Sequence, residues 1–329
     1  MSIAQYRFLI AIIAAASLAG TAGAQSPKQD AKVVPVAEKP LPGGPQEPIP
    51  LAPLPDELQE LLDSGKALNP EQTVFLDLKK KRVLLRTQIA CNDCPLEMLC
   101  CPEGTKHHES ILWVRSKAFV VHSALLALGM KPGKPVAFSP EFTPPEGPTI
   151  NTFVNWVDKA GNLRRVDART WMRHSIYHYY SHPLPSPPPN VELPHLELRY
   201  DPFNKEILWY GPMSQDQRRD LLKLWDDAEY TKAINKFYET SQSRPMTAEF
   251  VFAGSHEYEV DNAGNKRYAA EEGYLICVAN FAAATIDVRE ASSADDGGQS
   301  YEAWTDRVPP PDTPVVLELV PEQKKPAGK

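Results

Sequence analysis

The sequence predicts an α+β fold: a mainly antiparallel sheet, a few packed helices and a disulfide-tied loop. Three observations lead there. Strand-like runs outnumber helical ones and do not alternate with them regularly, which argues against a doubly wound parallel sheet. Turn residues separate neighbouring strand-like runs, the mark of hairpins. Four of the five cysteines, Cys91, Cys94, Cys100 and Cys101, fall within eleven residues. The 329 residues are 42% hydrophobic and 23% charged, an ordinary globular balance that fits neither a wholly disordered chain nor a multi-span membrane protein. A net charge of −7 argues against general nucleic-acid binding, which needs a basic field.

Residues 1–24 read as an export signal. Arg7 precedes the apolar run from Phe8 to Leu18, and Ala22-Gly23-Ala24 places small residues at a cleavage site before Gln25. The apolar run is shorter than the ~20 residues a membrane span needs, so no stable span is expected after cleavage. The mature chain is therefore expected in the periplasm or secreted. Residues 25–56 follow as a proline-rich linker, with nine prolines between 26 and 56 and little apolar pattern. The α+β module is expected over 57–321, with a subdomain break at 183–194, where six prolines cluster, and a disordered tail at 322–329.

Within the module, Pro55 to Leu62 reads as a short helix with acidic residues in its first turn. Val74 to Leu78 and Val83 to Ile89 form a hairpin with the basic tip Lys79-Lys80-Lys81-Arg82, read as a solvated turn. Ser116 is placed to cap a helix over 117–128, whose Val121, Ala124, Leu125 and Leu128 share one face and which Gly129 stops. Ile150 to Trp156 and Leu163 to Val166 make a second hairpin around Asp158-Lys159-Ala160-Gly161-Asn162. Val260 to Arg267 repeats that turn at six of eight positions, a likeness of turn chemistry rather than duplication. After the proline cluster, Leu196 to Tyr200 and Glu206 to Tyr210 read as strands. Ser214-Gln215-Asp216-Gln217 fits a capping box opening one long helix that carries Leu221, Trp225, Ile234 and Phe237. Four more strands are expected, at 249–253, 274–279, 285–288 and 315–320.

Exported thiols meet an oxidising compartment and pair. The expected bridge joins Cys91 to Cys101, with Cys94 and Cys100 as an optional second pair. Cys277, in an apolar run, is expected buried and inert. A zinc site would need a better second half than the adjacent Cys100-Cys101. The spacing also misses the iron–sulfur pattern.

Residues 96–142 carry Leu96-Glu97-Met98, the run Cys101-Pro102-Glu103-Gly104-Thr105-Lys106-His107-His108-Glu109-Ser110-Ile111, and Ala124 to Gly133. In these the chain resembles the YdjY-like family of exported bacterial proteins, whose biochemical role is undefined. Phe250 to Ser255 and Leu275 to Phe281 are similar to that family's second half, so the resemblance spans most of 73–320. It marks Lys106, His108 and Glu109 as members of the family's signature and implies no reaction for them. Physically, a histidine beside a glutamate can act as a general base or bind a metal, or simply fix the loop by hydrogen bonds, the favoured reading.

His174, His178 and His182 recur every four residues; on a helix they would align three imidazoles able to chelate a divalent transition metal. A surface segment leading into the linker is the favoured reading. The six tryptophans are assigned to core packing. No Gly-x-Ser-x-Gly elbow and no phosphate-binding glycine loop occurs, so hydrolase and nucleotide-binding readings lack a motif. The sequence thus predicts an exported, non-catalytic binding or structural module without a cofactor, whose partner is an unspecified small molecule, glycan or protein. The alternative is a metal-binding or redox protein using the Cys91–Cys101 and Lys106–Glu109 segment with a divalent transition metal.

Overall fold

A hairpin with a lysine-rich turn is the piece from which the main sheet grows. The computed structural model describes residues 49–189, 197–261, 263–293 and 300–322. The expected export signal, residues 25–48 of the expected linker and residues 323–329 of the tail lie outside the described residues.

In chain order, α1 (Asp56–Asp63) is followed by β1 (Lys66–Ala67), β2 (Val74–Asp77), β3 (Arg82–Ile89), β4 (Met98–Pro102) and β5 (Ser110–Val114). Then come α2 (Ala118–Ala127), β6 (Ile150–Val157), β7 (Leu163–Asp167) and β8 (Met172–His174). A middle portion holds β9 (Tyr179–Pro183), β10 (Leu198–Asp201), β11 (Glu206–Tyr210), α3 (Gln215–Leu222) and α4 (Ala228–Thr240). The remainder supplies β12 (Phe250–Val251), β13 (Glu257–Glu259), β14 (Lys266–Tyr268), β15 (Ile276–Cys277), β16 (Asp287–Val288), β17 (Tyr301–Ala303) and β18 (Pro314–Pro321). The α+β class holds.

The nine-stranded sheet runs β15-β4-β5-β3-β18-β6-β7, with β2 and then β1 added beside β3. Strand β3 shares one edge between two partners: residues 82–85 pair with β2 and residues 87–89 with β5. Its other edge takes β18 from the far end of the chain. Side chains alternate across the sheet, so Val83, Leu85 and Leu317 meet Val121, Ala124 and Leu125 of α2, whereas Leu84 and Val316 meet Leu58 and Leu62 of α1. Each fully buried leucine contributes about 1.5–3 kcal/mol, so both helices are fixed chiefly by these two faces.

The middle portion has its own core. Strands β10, β11 and β9 form a three-stranded sheet, and Trp209 and Ile207 pack with Tyr230, Ile234 and Phe237 of α4. This arrangement begins at Tyr179, ahead of the proline cluster. The single long helix expected after the Ser214–Gln217 capping box is two helices: the box is present, but Asp227 accepts a hydrogen bond from the Tyr230 N–H (2.9 Å) and starts a second helix.

Other expectations are corrected by long-range contacts. Part of the expected linker is docked: the Ile49 N–H donates to Glu103 (3.0 Å) and the Ala52 N–H to Gln88 (2.9 Å), while Leu51 packs beside Met98 and Trp113. Ser116 does not cap α2. Its hydroxyl donates to the Lys117 carbonyl (3.1 Å), and the free N–H groups of Ala118 and Phe119 are taken by the Glu271 carboxylate, both at 3.0 Å. A carboxylate at a helix N-terminus satisfies orphan donors and the dipole together. Nor is the basic tip wholly solvated. Arg82 is buried between Asp77 (3.0 Å) and Glu318 (2.8 Å), and Arg165 binds the other oxygen of Glu318 (2.8 Å). The two similar turns make the same hydrogen bonds: Asp158 and Asp261 each accept from the backbone N–H groups two and four residues on.

Candidate functional site

Strands β4 and β5 are parallel neighbours, in register from Met98↔Ser110 to Pro102↔Val114. A parallel pair ordinarily uses a crossover of a dozen or more residues. Here residues 103–109 alone carry the chain back, and the polar side chains of the signature hold that short return in place. Glu103 grips Arg115 through both oxygens (2.7 Å each). Gly104 turns at φ 75°, and its N–H donates to His107 Nε2 (3.0 Å). The Thr105 hydroxyl donates to the Pro102 carbonyl (2.7 Å). His107 stacks on Trp113 at 5.4 Å, and its desolvation lowers its pKa, consistent with a neutral ring that accepts at Nε2.

Lys106 is the centre of the loop. Its ammonium donates to Glu97 (2.6 Å) and Glu109 (3.0 Å), and lies 5.3 Å from the centre of the Tyr274 ring and 5.8 Å from that of Phe281. Its methylenes run against Gly273, where φ is 122° and a Cβ would meet them at 2.9 Å. Desolvation works against its charge, but hydrogen bonds to two carboxylates outweigh it and raise its pKa. An amine held this firmly protonated is neither a base nor a nucleophile. Burial and the nearby Glu109 raise Glu97; Glu109 is also partly buried, yet hydrogen bonds from Glu97 and Lys106 hold it below its ordinary value. His108 stands 76% exposed with Nε2 3.2 Å from Glu109. The three expected residues are therefore together, but as an ion cluster that fastens residues 273–281 onto the β4–β5 crossover. Sequence reasoning gives no sign that Gly273, Tyr274 and Phe281 meet Lys106, because these lie more than a hundred residues from it; Glu97 is only nine residues away, but a lone glutamate before a strand does not by itself signal an ion pair.

The expected Cys91–Cys101 bridge is not formed, nor is Cys94–Cys100. Cys91 is bonded to Cys94, with Cα atoms 6.2 Å apart, and Cys100, Cys101 and Cys277 are free and buried. The reason is strand geometry. Adjacent residues of a strand point to opposite faces, so Cys100 enters the core under α2 while Cys101 joins Met98, Trp113 and Cys277 on the other side. Burial pushes all three free thiols up in pKa. Cys277 is the buried cysteine the sequence predicts, its sulfur 3.4 Å from that of Met98.

His174, His178 and His182 share no helix face. His174 ends β8 and packs on Tyr301 at 5.1 Å; His178 lies between strands against Tyr180 at 4.2 Å; His182 is buried in β9 with Nε2 3.6 Å from Glu229. Among the described residues no group of three or more His, Cys, Asp or Glu side chains is disposed to hold a metal ion.

A cleft of about 650 Å³ opens at one end of the main sheet. The β2–β3 turn contributes Lys81, the segment after α2 contributes Lys131, the approach to β6 contributes Thr149, and the chain after β16 contributes Arg289. Glu322 is the acid on its rim. Arg289 is oriented by Glu249 (3.1 Å) and by Thr149 Oγ1 (3.3 Å). Lys131 stands just beyond the C-terminus of α2, where a cation also offsets the helix dipole.

Residues 74–178 match the model of the YdjY domain. Over that stretch the chain is similar to the YdjY domain. No curated protein and no solved structure matches it. The YdjY match runs from the start of β2 to the residue before β9, so it stops where the middle portion with its separate core begins. The similarity expected for 250–281 falls outside the match, although β15 and β18 from beyond it complete the sheet that the YdjY strands begin. No helix among the described residues is long and apolar enough to cross a membrane.

Proposed function

We propose that this YdjY-like protein is an exported, non-catalytic binding module whose ligand carries negative charge and sits in the cleft at the end of the main sheet. One observation carries the reading: a cleft of ligand size lined by Lys81, Lys131 and Arg289, the last already paired with Glu249 (3.1 Å), against one lining acid, Glu322, in a chain of net charge −7. A local positive field against an acidic background draws an anion and repels cationic competitors. Export is supported by the composition of residues 1–24. The Lys106 cluster is structural in this reading, its charges already satisfied by one another.

The test is a thermal-shift screen of the mature protein against dicarboxylates, phosphorylated sugars and uronic-acid oligosaccharides. At least one class should raise the melting temperature, less so as salt is added, and Lys131→Glu combined with Lys81→Glu should remove the shift while the unliganded melting temperature stays close to wild type. If no member of the panel gives a salt-sensitive shift, or if the double variant keeps one, the reading is wrong.

A further inference from the structure

Two of the three histidines that share no helix face do share a cavity. It measures about 470 Å³ and lies between β8 and β17, which belong with the main core, and β9 and α4 of the middle portion. His174 ends β8, His178 comes from the link between β8 and β9, Ser300 immediately precedes β17, and Arg244 follows α4. Backbone bonds hold these segments together: the His174 N–H donates to the Arg244 carbonyl (2.9 Å) and the Ser175 N–H to the Ser300 carbonyl (3.0 Å). The polar groups are thus spaced by the scaffold rather than by contacts with one another.

Those groups are uncommitted. Every other arginine among the described residues has a carboxylate, another oxygen or an aromatic ring as partner, whereas the Arg244 guanidinium has none. Its charge bears on the cavity: desolvation and then Arg244 lower the pKa of His174, and Arg244 opposes the rise that burial causes at Tyr180, another lining residue. The His178 Nδ1–H donates to the Tyr179 carbonyl (3.2 Å), which leaves Nε2 open, and neither ring nitrogen of His174 has a hydrogen-bond partner among the described residues. Ser300 Oγ accepts from the Ser293 N–H (3.1 Å) and keeps its own proton to donate. No described Asp or Glu lines the cavity; Glu302, which Ser175 meets at 3.4 Å, is neutralised by Arg173 (2.7 Å).

A planar fork of N–H donors, two imidazoles and a hydroxyl around one space, with no acid among them, suit a tetrahedral oxyanion with several terminal oxygens better than a carboxylate, which a single guanidinium can satisfy. The cavity is also of small-molecule size, within the usual ~300–1,000 Å³, and Ile176 and Ala291 give it an apolar wall for an organic portion. We propose that this cavity binds the phosphate group of a small phosphomonoester, with Arg244 as its anchor and His174, His178 and Ser300 completing its hydrogen bonds. It shares no lining residue with the cleft of Lys81, Lys131 and Arg289, so this site does not rest on the binding reading given for that cleft.

The experiment titrates the full-length mature protein by calorimetry with inorganic phosphate and, separately, with glycerol 3-phosphate, glucose 6-phosphate and phenyl phosphate. At least one monoester should bind about tenfold more tightly than inorganic phosphate, because its organic portion also leaves water. Arg244→Gln should weaken that binding roughly tenfold to a hundredfold, the worth of charge-assisted hydrogen bonds, with the melting temperature unchanged because the exposed side chain holds nothing in the fold. Arg244→Lys, which keeps the charge but loses the fork, should recover only part of the loss. Lys81→Glu combined with Lys131→Glu should leave the monoester affinity within about twofold of wild type. The proposal is overturned if no monoester binds, if inorganic phosphate binds as tightly as the best of them, if Arg244→Gln binds like wild type, or if the cleft variant rather than Arg244→Gln removes binding. For the phosphorylated sugars of the cleft screen, the cleft variant is compared in an Arg244→Gln background, so that a shift arising at this cavity does not count against the cleft.

Discussion

Cys91 and Cys94 sit a few residues before Cys100 and Cys101, yet the two pairs have opposite fates. The first pair lies in a loop whose backbone turns freely enough to bring two sulfurs together. The second lies in a fully buried strand that sends one sulfur into the core under α2 and the other to the far face. Nearness in sequence favours pairing only where the backbone is irregular; in a strand, the pleat keeps adjacent thiols apart. The buried side of this contrast is a dry region that also contains Cys277 and Asp287, whereas the loop side borders a polar cavity.

The contrast can be broken most forcefully from the dry side. Cys101→Asp puts an uncompensated carboxylate where a thiol is fully buried, and should cost about 3–5 kcal/mol in urea denaturation. A cost near zero would mean that the region admits water. A smaller effect comes from Asp287, fully buried, with hydrogen bonds from Asn280 (3.2 Å), the Phe281 N–H (3.3 Å) and the Val288 N–H (2.7 Å). Burial raises its pKa to about 7, from 3.8 in an exposed aspartate, and those hydrogen bonds offset only part of the rise. The folded state therefore keeps a proton that the unfolded chain loses. Its contribution to stability is complete below the unfolded pKa and is lost as pH rises through about 4 to 7. The expected loss across that window is on the order of 3 kcal/mol, and Asp287→Asn should flatten it when urea midpoints are compared on either side. Burial alone would raise the pKa values of Asp77 and Glu318, but hydrogen bonds, arginines among the donors, lower them; the two therefore act in the opposite sense, losing stability as pH falls, and the comparison with Asp287→Asn separates their contribution from that of Asp287. The smallest effect belongs to the loop: replacing both Cys91 and Cys94 by serine should cost no more than about 2 kcal/mol, because so short a loop removes little chain entropy. A loss well beyond that in urea denaturation would make the bridge a clamp and erase the contrast.

Local chemistry was legible wherever a few neighbouring residues decide the outcome. The Ser214–Gln217 capping box, the Gly129 stop of α2 and the twin aspartate turns all appear as the sequence predicts. Three misses share a different cause. The cap of α2 comes from Glu271, the partners of Arg82 include Glu318, and the grip on Lys106 includes Tyr274 and Phe281. Each of these partners lies more than a hundred residues away, so no window of sequence holds both ends of the contact. The histidine spacing failed for a related reason: a period of four suggests a helix, but the pairing of β8 with β17 and of β9 with β11 makes His174 and His182 extended and leaves His178 in the bend between them.

By itself, then, the amino-acid order determined the fold class, the hairpins, the capping box and the burial of Cys277, because alternation, turn chemistry and apolar runs act over a few residues. Tertiary structure alone decided what closes the N-terminal end of α2, what pairs with the buried Arg82 across the sheet, and that Lys81, Lys131 and Arg289 line one cleft. Those outcomes depend on where separate strands and loops come to rest, and that is set by the packing of two sheet faces against α1 and α2 rather than by any residue's neighbours in the chain.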